Sequence, residues 1–146
     1  MTGPLAEIEV LVLDCQASGA TPSQGDLLEV GWGSTTAAGQ VAASRAAWIV
    51  PRGDRRISKI VRQLTGWSEA CIPLGIEGLE AWAQLTRVVS APPARTPAVI
   101  HFARFELPFL RDLHTRAGGS EETFPLETVC VHAIAERLFP DLPRRN

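Results

Sequence analysis

Val10-Leu11-Val12-Leu13 is an unbroken apolar run that closes on a carboxylate, Asp14, and gives way at Gly19. A short apolar run without alternation, bounded by turn formers, predicts a strand buried on both faces in the middle of a mixed or parallel sheet. Residues 20–25 are a loop by composition, and residues 26–33 resume as a second strand. A Ser-Thr-Thr turn followed by Gly39 and Gln40 leads to a third extended run, residues 41–50, stopped by Pro51. Three strands whose connections are too short for a crossover helix make an antiparallel meander.

From Ile57 the period changes. Ile57, Ile60, Val61 and Leu64 recur at helical spacing and predict a helix with that face inward. Arg55, Arg56, Lys59 and Arg62 fall on its other side. Such a basic stripe is ordinarily a solvated helix face, with contact to phosphates as the alternative. Residues 64–67 end the helix, and Ser68 is placed to cap a short turn. Residues 75–89 predict a second helix with Leu79, Trp82, Ala83, Thr86 and Val89 inward. The proline-rich stretch 91–97 is a surface connection, because adjacent prolines cannot continue a helix. Residues 98–102 read as a fourth, buried strand. A helix over 103–117 follows, carrying Phe105, Phe109, Leu110 and Leu113, with Pro108 tolerable only near its start. Residues 124–128 form a short fifth strand and 129–138 a last helix, stopped at Phe139-Pro140.

The predicted fold class is α/β: a five-stranded mixed sheet with helices on both faces. Right-handed crossovers put the fourth and fifth strands beside the first. Asp14 and the segment 101–106, which ends in Glu106, then share one sheet edge. Two carboxylates converging from different elements suggest a cation site, because a divalent ion relieves their repulsion. The competing role for Asp14 is a turn cap.

Composition narrows the class. A chain of 146 residues with 45% hydrophobic and 21% charged positions suits one soluble domain with a real core. A formal net charge of -2 excludes a global pull on nucleic acid, so any polyanion contact must come from a local patch or a metal. Cys15, Cys71 and Cys130 are isolated and odd in number, which argues against a disulfide framework or a structural zinc site and for buried thiols in a reducing cytosol. With no leader-like segment or long apolar span in the sequence, a cytoplasmic protein with no membrane partner is expected.

With the elements in order, several segments resemble a known family. Asp14-Cys15-Gln16-Ala17-Ser18-Gly19 is similar to the first motif, Asp-x-Glu-x-Thr-Gly, of the DEDD (DnaQ-like) 3′ to 5′ exonuclease superfamily, which has the ribonuclease H-like fold. Residues 26–31 resemble the strand that follows it, and Leu64-Thr65-Gly66-Trp67-Ser68 resembles the family's Ile-Thr-Gly-Ile-Thr stretch. His101-Phe102-Ala103-Arg104-Phe105-Glu106 resembles the second motif, His-Asn-x-x-Phe-Asp. Phe124-Pro125-Leu126-Glu127-Thr128 falls where such proteins carry a short strand ending in Asp-Thr. The match covers nearly the whole chain.

The resemblance implies Mg²⁺ or Mn²⁺, two ions held by four carboxylates, with water attacking the 3′-terminal phosphodiester and a His taking the proton. Carried over position by position, Asp14 and Glu106 become the catalytic carboxylates, and Asp14, Gln16 and Glu106 the metal ligands. Ala17 and Ser18 would face a terminal nucleotide, with Thr65 and Trp67 on the opposite lip. Trp67 either stacks on a base or fills the core, as Trp32, Trp48 and Trp82 are expected to do. His101, on a buried strand, is expected to be a hydrogen-bonded core histidine. Strand polarity alone places neither Glu29 nor Glu127 in the site.

The chain departs from the family pattern at each motif. Gln16 replaces the second carboxylate and offers a hard cation only a neutral oxygen. Glu106 replaces Asp and adds a methylene; a displacement of about 1 Å costs on the order of a hundredfold in rate. Phe102 replaces Asn. No His stands five residues before an Asp: five residues after His101, His114 and His132 come Glu106, Gly119 and Arg137. The chain ends in Arg144-Arg145-Asn146, about where that third motif would begin, which reads as residues 1–146 of a longer chain. The expectation is therefore an exonuclease-like domain with a degenerate metal site, holding a 3′ end of single-stranded DNA or RNA, or a partner protein. The alternatives are a nuclease completed by residues beyond 146, and an interaction module with no nucleic-acid role.

Overall fold

A computed structural model describes residues 7–36, 39, 41–90 and 94–143. Gln40 of the expected turn, residues 91–93 of the proline-rich connection and the end at 144–146 lie outside the described residues. The strands are β1 (Glu9–Ala17), β2 (Leu27–Thr36), β3 (Val41–Trp48), β4 (Thr96–Ile100) and β5 (Leu126–Cys130). The helices are α1 (Lys59–Thr65), α2 (Gly78–Thr86), α3 (Ala103–Arg116) and α4 (Val131–Leu138), with a 3-10 turn at Glu69–Leu74. The five strands make one mixed sheet in the order β3-β2-β1-β4-β5. β1 is antiparallel to β2 and parallel to β4, and β5 runs parallel outside β4 rather than beside β1.

The sheet is central, as the apolar run implied, but β1 is not buried on both faces. Leu11, Leu13 and Cys15 are at most 6% exposed, whereas Val12 is 45% exposed. The alternation is masked in the sequence because Val12 is apolar even on the open side, where it sits between Gly33 of β2 and Val99 of β4. Leu11, Leu13, Val30, Ile100, Leu85 and Leu110 form the centre of the core, with α2 and α3 packed against it. A second, smaller core gathers Leu28, Ile57, Trp67 and Cys71 under α1.

The helices differ from the periodicity in informative ways. α2 buries Gly78, Ala81, Trp82 and Leu85, while Leu79 is partly exposed and Ala83 exposed, so its inward face is turned from the expected one. Gly78 also lets α2 come close to α3, since a Cβ there would stand 3.0 Å from Leu113. In α1, Ile60 and Leu64 are 68% and 79% exposed, and only Val61 and the preceding Ile57 turn inward. Arg55 and Arg56 precede the helix and lie in a loop, so the basic residues are not one helix face. α3 begins at Ala103, as expected, and takes Pro108 into its second turn. β5 and α4 both begin two residues later than the local pattern suggests, because the parallel ladder pairs Ile100 with Cys130 and carries the strand that far. Among the described residues no helix is long and apolar enough to cross a membrane.

The β1–β2 connection fixes how the first motif leaves the sheet. The Ser18 N–H donates to the Asp26 carbonyl and the Asp26 N–H to the Ser18 hydroxyl, both at 2.8 Å. Gly19 and Gly25 pack backbone to backbone beneath this closure. A Cβ on Gly25 would stand 2.2 Å from the Gly19 nitrogen. Gly25→Ala is expected to destabilise the fold by about 1–3 kcal/mol, since rigid backbone must shift, whereas Gly53→Ala, with its nearest neighbour at 3.9 Å, should stay within about 0.5 kcal/mol of the parent. Urea unfolding of both variants checks the contrast.

Candidate functional site at the end of the first strand

In the antiparallel register of β1 and β2, Asp14 stands opposite Gly31 and Gln16 opposite Glu29. Directly paired residues project from the same face, so Asp14, Gln16 and Glu29 share one side of the sheet. Gly31 and Gly33 carry no side chain, which leaves a recess of about 330 Å³ lined also by Val12, Asp14 and Arg45. Asp14 itself is exposed.

Cys15 points the other way, into the core, and there α3 delivers Glu106, which is only 3% exposed. Burial, and then the charge of Asp14, push the Glu106 carboxyl up from 4.5 to about 7, although hydrogen bonds from the Phe102 and Cys15 backbone and from the Cys15 thiol pull it down. The Cys15 thiol is raised well above its usual value by burial and then by Glu106 and Asp14, so it stays protonated and donates to the carboxylate. Glu29 is raised too, by burial first and by Asp14 second. Asp14 is thus the charge that both other carboxyl groups feel.

The structure brings Asp14, Gln16 and Glu106 to one end of the sheet. Two acceptor atoms there, Gln16 Oε1 and Glu106 Oε2, are buried without a hydrogen-bond partner. As a donor set for a cation these groups are thin: one exposed carboxylate, one neutral amide oxygen and, on the core side, one carboxyl half protonated near neutrality. Among the described residues no three His, Cys, Asp or Glu side chains converge where they could hold an ion. The residues present therefore do not fit a pair of divalent ions held by four carboxylates.

The remaining expected positions are mostly engaged locally. Ala17 and Ser18 are half-buried at the strand end, and the Ser18 hydroxyl accepts from Asp26. The Thr65 hydroxyl donates to the Val61 carbonyl at 2.8 Å and accepts from the Trp67 N–H at 3.1 Å, which closes α1. Trp67 is 5% exposed and packed in the second core, with the Arg62 guanidinium 5.4 Å from its ring centre. Of the two roles open to it, core filling is the one this geometry serves; stacking on a base would require Arg62 to move. His101 is exposed rather than a core histidine: it follows the last ladder pair of β4, beyond the buried positions. His132, at the start of α4, meets Phe102 edge-on at 4.9 Å and lies 6.5 Å from the His101 ring. Glu127 is exposed, pairs with Arg95 at 3.9 Å and stands opposite Pro97, away from this edge.

Sequence reasoning missed two members of the site. Glu29 was legible once register is considered, because the short β1–β2 turn fixes which residue faces Gln16. Cys15 was legible from parity, since the neighbour of an outward Asp14 must face the core.

A carboxyl whose folded pKa is about 7, against 4.5 when free, holds its proton in the folded state after the unfolded chain has released it. Its stabilising contribution is intact below pH 4.5 and is lost as the pH rises toward 7, a difference of roughly 3 kcal/mol at most. Glu106→Gln is therefore expected to be more stable than the parent at pH 8 and not at pH 4; equal gains at both would contradict this origin. Asp14→Asn should lower the titration midpoints of both Glu106 and Glu29, followed by carbon-detected NMR, with Glu106 remaining above 4.5 because burial is its larger cause.

No protein-family model matches the chain, and no curated protein matches its sequence. Among solved structures, it is similar to product-bound exonuclease I, with a TM-score of 0.76, 14% identity, and coverage of 92% of this chain and 33% of that one. It is similar to E. coli exonuclease I in complex with a dT13 oligonucleotide, with a TM-score of 0.74 at 14% identity and 92% and 31% coverage. An exonuclease I complex with SSB-Ct has a TM-score of 0.75 at 14% identity and the same coverage. The chain spans about a third of the length of these proteins. At this identity the likeness shows the fold: an α/β, ribonuclease H-like domain with a mixed five-stranded sheet.

Proposed function

We propose that this chain is an exonuclease-like domain, part of a larger cytoplasmic protein, that holds the 3′ end of single-stranded DNA or RNA with little or no nuclease activity. The observation that carries the reading is Gln16: on the face that presents Asp14, the position two residues on offers a neutral amide where a divalent ion needs charge. Glu106, half protonated near pH 7, weakens the set further. The fold likeness to exonuclease I, solved with dT13 and other oligonucleotides, supports single-stranded DNA as the ligand to try first. Without competent ions the neighbouring fold features would still present a strand-end cleft, so binding and cleavage are separable here. A bound partner protein at the same cleft fits this reading equally.

One observation favours an active, metal-dependent exonuclease instead. Glu29 faces Gln16 across the β1–β2 ladder, close enough for Asp14 to raise its carboxyl. A cross-strand carboxylate there would return the charge that Gln16 lacks, and Mg²⁺ or Mn²⁺ would oppose the upward shift that both Glu29 and Glu106 carry.

The two readings separate on metal affinity. In calorimetric titrations with Mn²⁺, the degenerate reading expects weak binding that tightens at least tenfold in Gln16→Glu and is insensitive to Glu29→Gln. Tight binding of two ions by the parent, lost in Glu29→Gln, would establish the active reading. Fluorescence anisotropy with labelled dT and U oligonucleotides in EDTA should show salt-dependent binding; none at any salt concentration would leave only an interaction module.

A further inference from the structure

The side of the sheet away from α2 and α3 carries an apolar row that the register itself defines. Gly33 of β2 pairs with Val12 of β1, Val12 with Val99 of β4, and Val99 with Val129 of β5. Directly paired residues project from one face, so the three valines stand side by side. Val12 is 45% and Val129 36% exposed, so among the described residues no element covers the row. Gly31 and Gly33 hollow it beside Val12, where the recess of about 330 Å³ lies with Asp14 in its lining.

α4 has the opposite shape and the same chemistry. Val131, Ile134 and Leu138 recur at i, i+3 and i+7, which puts them on one stripe of the helix. They are 38%, 45% and 66% exposed, and no residue of α4 is buried. Phe139 and Leu142, just past the helix end, are exposed as well. A short amphipathic helix is held mainly by the face it packs, and this one packs little of its own within the fold. One chain thus presents an unfilled apolar hollow and an apolar ridge with nothing against it.

Charge narrows what fits. Asp14, exposed and two residues along β1 from Val12, has no cationic partner among the described residues. Arg137, one turn beyond Ile134 on the border of the stripe, has no anionic one, whereas His132 on the other border meets Glu136 at 3.7 Å. The row calls for an apolar ridge bordered by a cation, and the helix calls for an apolar hollow bordered by an anion. A second copy of this chain supplies both, and opposite charges across the contact fix its register. We propose that two copies associate about a two-fold axis, the α4 stripe of each seated on the row from Gly33 to Val129 of the other, with Arg137 of each against Asp14 of the other. This pairing does not depend on the function proposed above. The side chains involved fall well short of the roughly 20 to 30 residues a side of a standard interface, so the dissociation constant is expected on the order of 10–100 μM.

Sedimentation equilibrium from about 1 μM to 1 mM, which brackets that constant, should show monomer and dimer in exchange. Val12→Glu on the row and Leu138→Glu on the stripe should each weaken the dimer at least about tenfold. Leu64→Glu, at a residue 79% exposed on α1 and part of neither surface, should leave it unchanged. Arg137→Asp and Asp14→Arg should each weaken it, and the two together should restore it, a rescue that a damaged fold would not give. All five side chains are exposed, so the fold should survive. A monomer at every concentration overturns the proposal and leaves both surfaces to a partner of other sequence. A dimer that Leu138→Glu weakens and Val12→Glu does not is a contact between helices and overturns the seat on the sheet. Growth beyond the dimer means a head-to-tail contact and overturns the two-fold axis. Failure of the charge exchange to restore the dimer overturns the pairing of Arg137 with Asp14.

Discussion

Glu106 is an acid held inside the core beside the end of a central strand, and the architecture of the site follows from that constraint. α3 can enter beneath β1 only by burying this carboxyl, and the nearby Asp14 charge adds to the cost. The Cys15 thiol is the compensation. It is the one polar group on the inward side of β1 at that level, and its own raised pKa keeps it a donor. The result is a short chain of coupled groups, with Asp14 outside, Cys15 between and Glu106 inside, in which moving one proton alters the other two. A carboxyl in that position is stable as a neutral acid, and turning it into a metal ligand means removing the proton that burial favours.

That coupling explains why a neutral side chain at position 16 would weigh on any ion bound at this edge. Ion binding at such an edge must supply enough favourable charge to deprotonate Glu106, and each carboxylate removed from the first strand weakens the field that draws the ion in. Glu29 is placed by the register to compensate, and its carboxyl too is raised, by desolvation first and by Asp14 second. The site is therefore a set of acids that repel one another, and the energetics of this edge turn on protonation as much as on geometry.

Much of the sheet was legible from the chain because its order is set by short connections and a buried first strand, which few topologies satisfy. The convergence of Asp14 and Glu106 followed from the same argument. What local pattern did not carry was orientation. Val12 is apolar on an open face, so β1 read as doubly buried; Gly78 allows α2 to approach α3 closely, on a face turned from the expected one; Ile60 and Leu64 keep helical spacing on a short helix with no core to meet. Thr65 shows the same limit at the site, since a motif position can be occupied by a residue whose hydroxyl is already spent on closing a helix.

Trp67 links the second core to the loop that leaves β3. As a core indole it holds α1 and the 3-10 turn against Leu28, and so fixes the geometry of the loop between β3 and α1. Packing it there buries its N–H without a partner, while the Glu69 carboxylate is held by Arg62. Acceptors without donors, Gln16 Oε1 and Glu106 Oε2, and a donor without an acceptor thus occur toward the same end of one sheet. Among the described residues the fourth buried side-chain atom without a partner is Gln84 Oε1 of α2, so three of the four unmet valences lie toward the strand ends. That concentration is expected of a surface whose missing partners arrive from outside the fold.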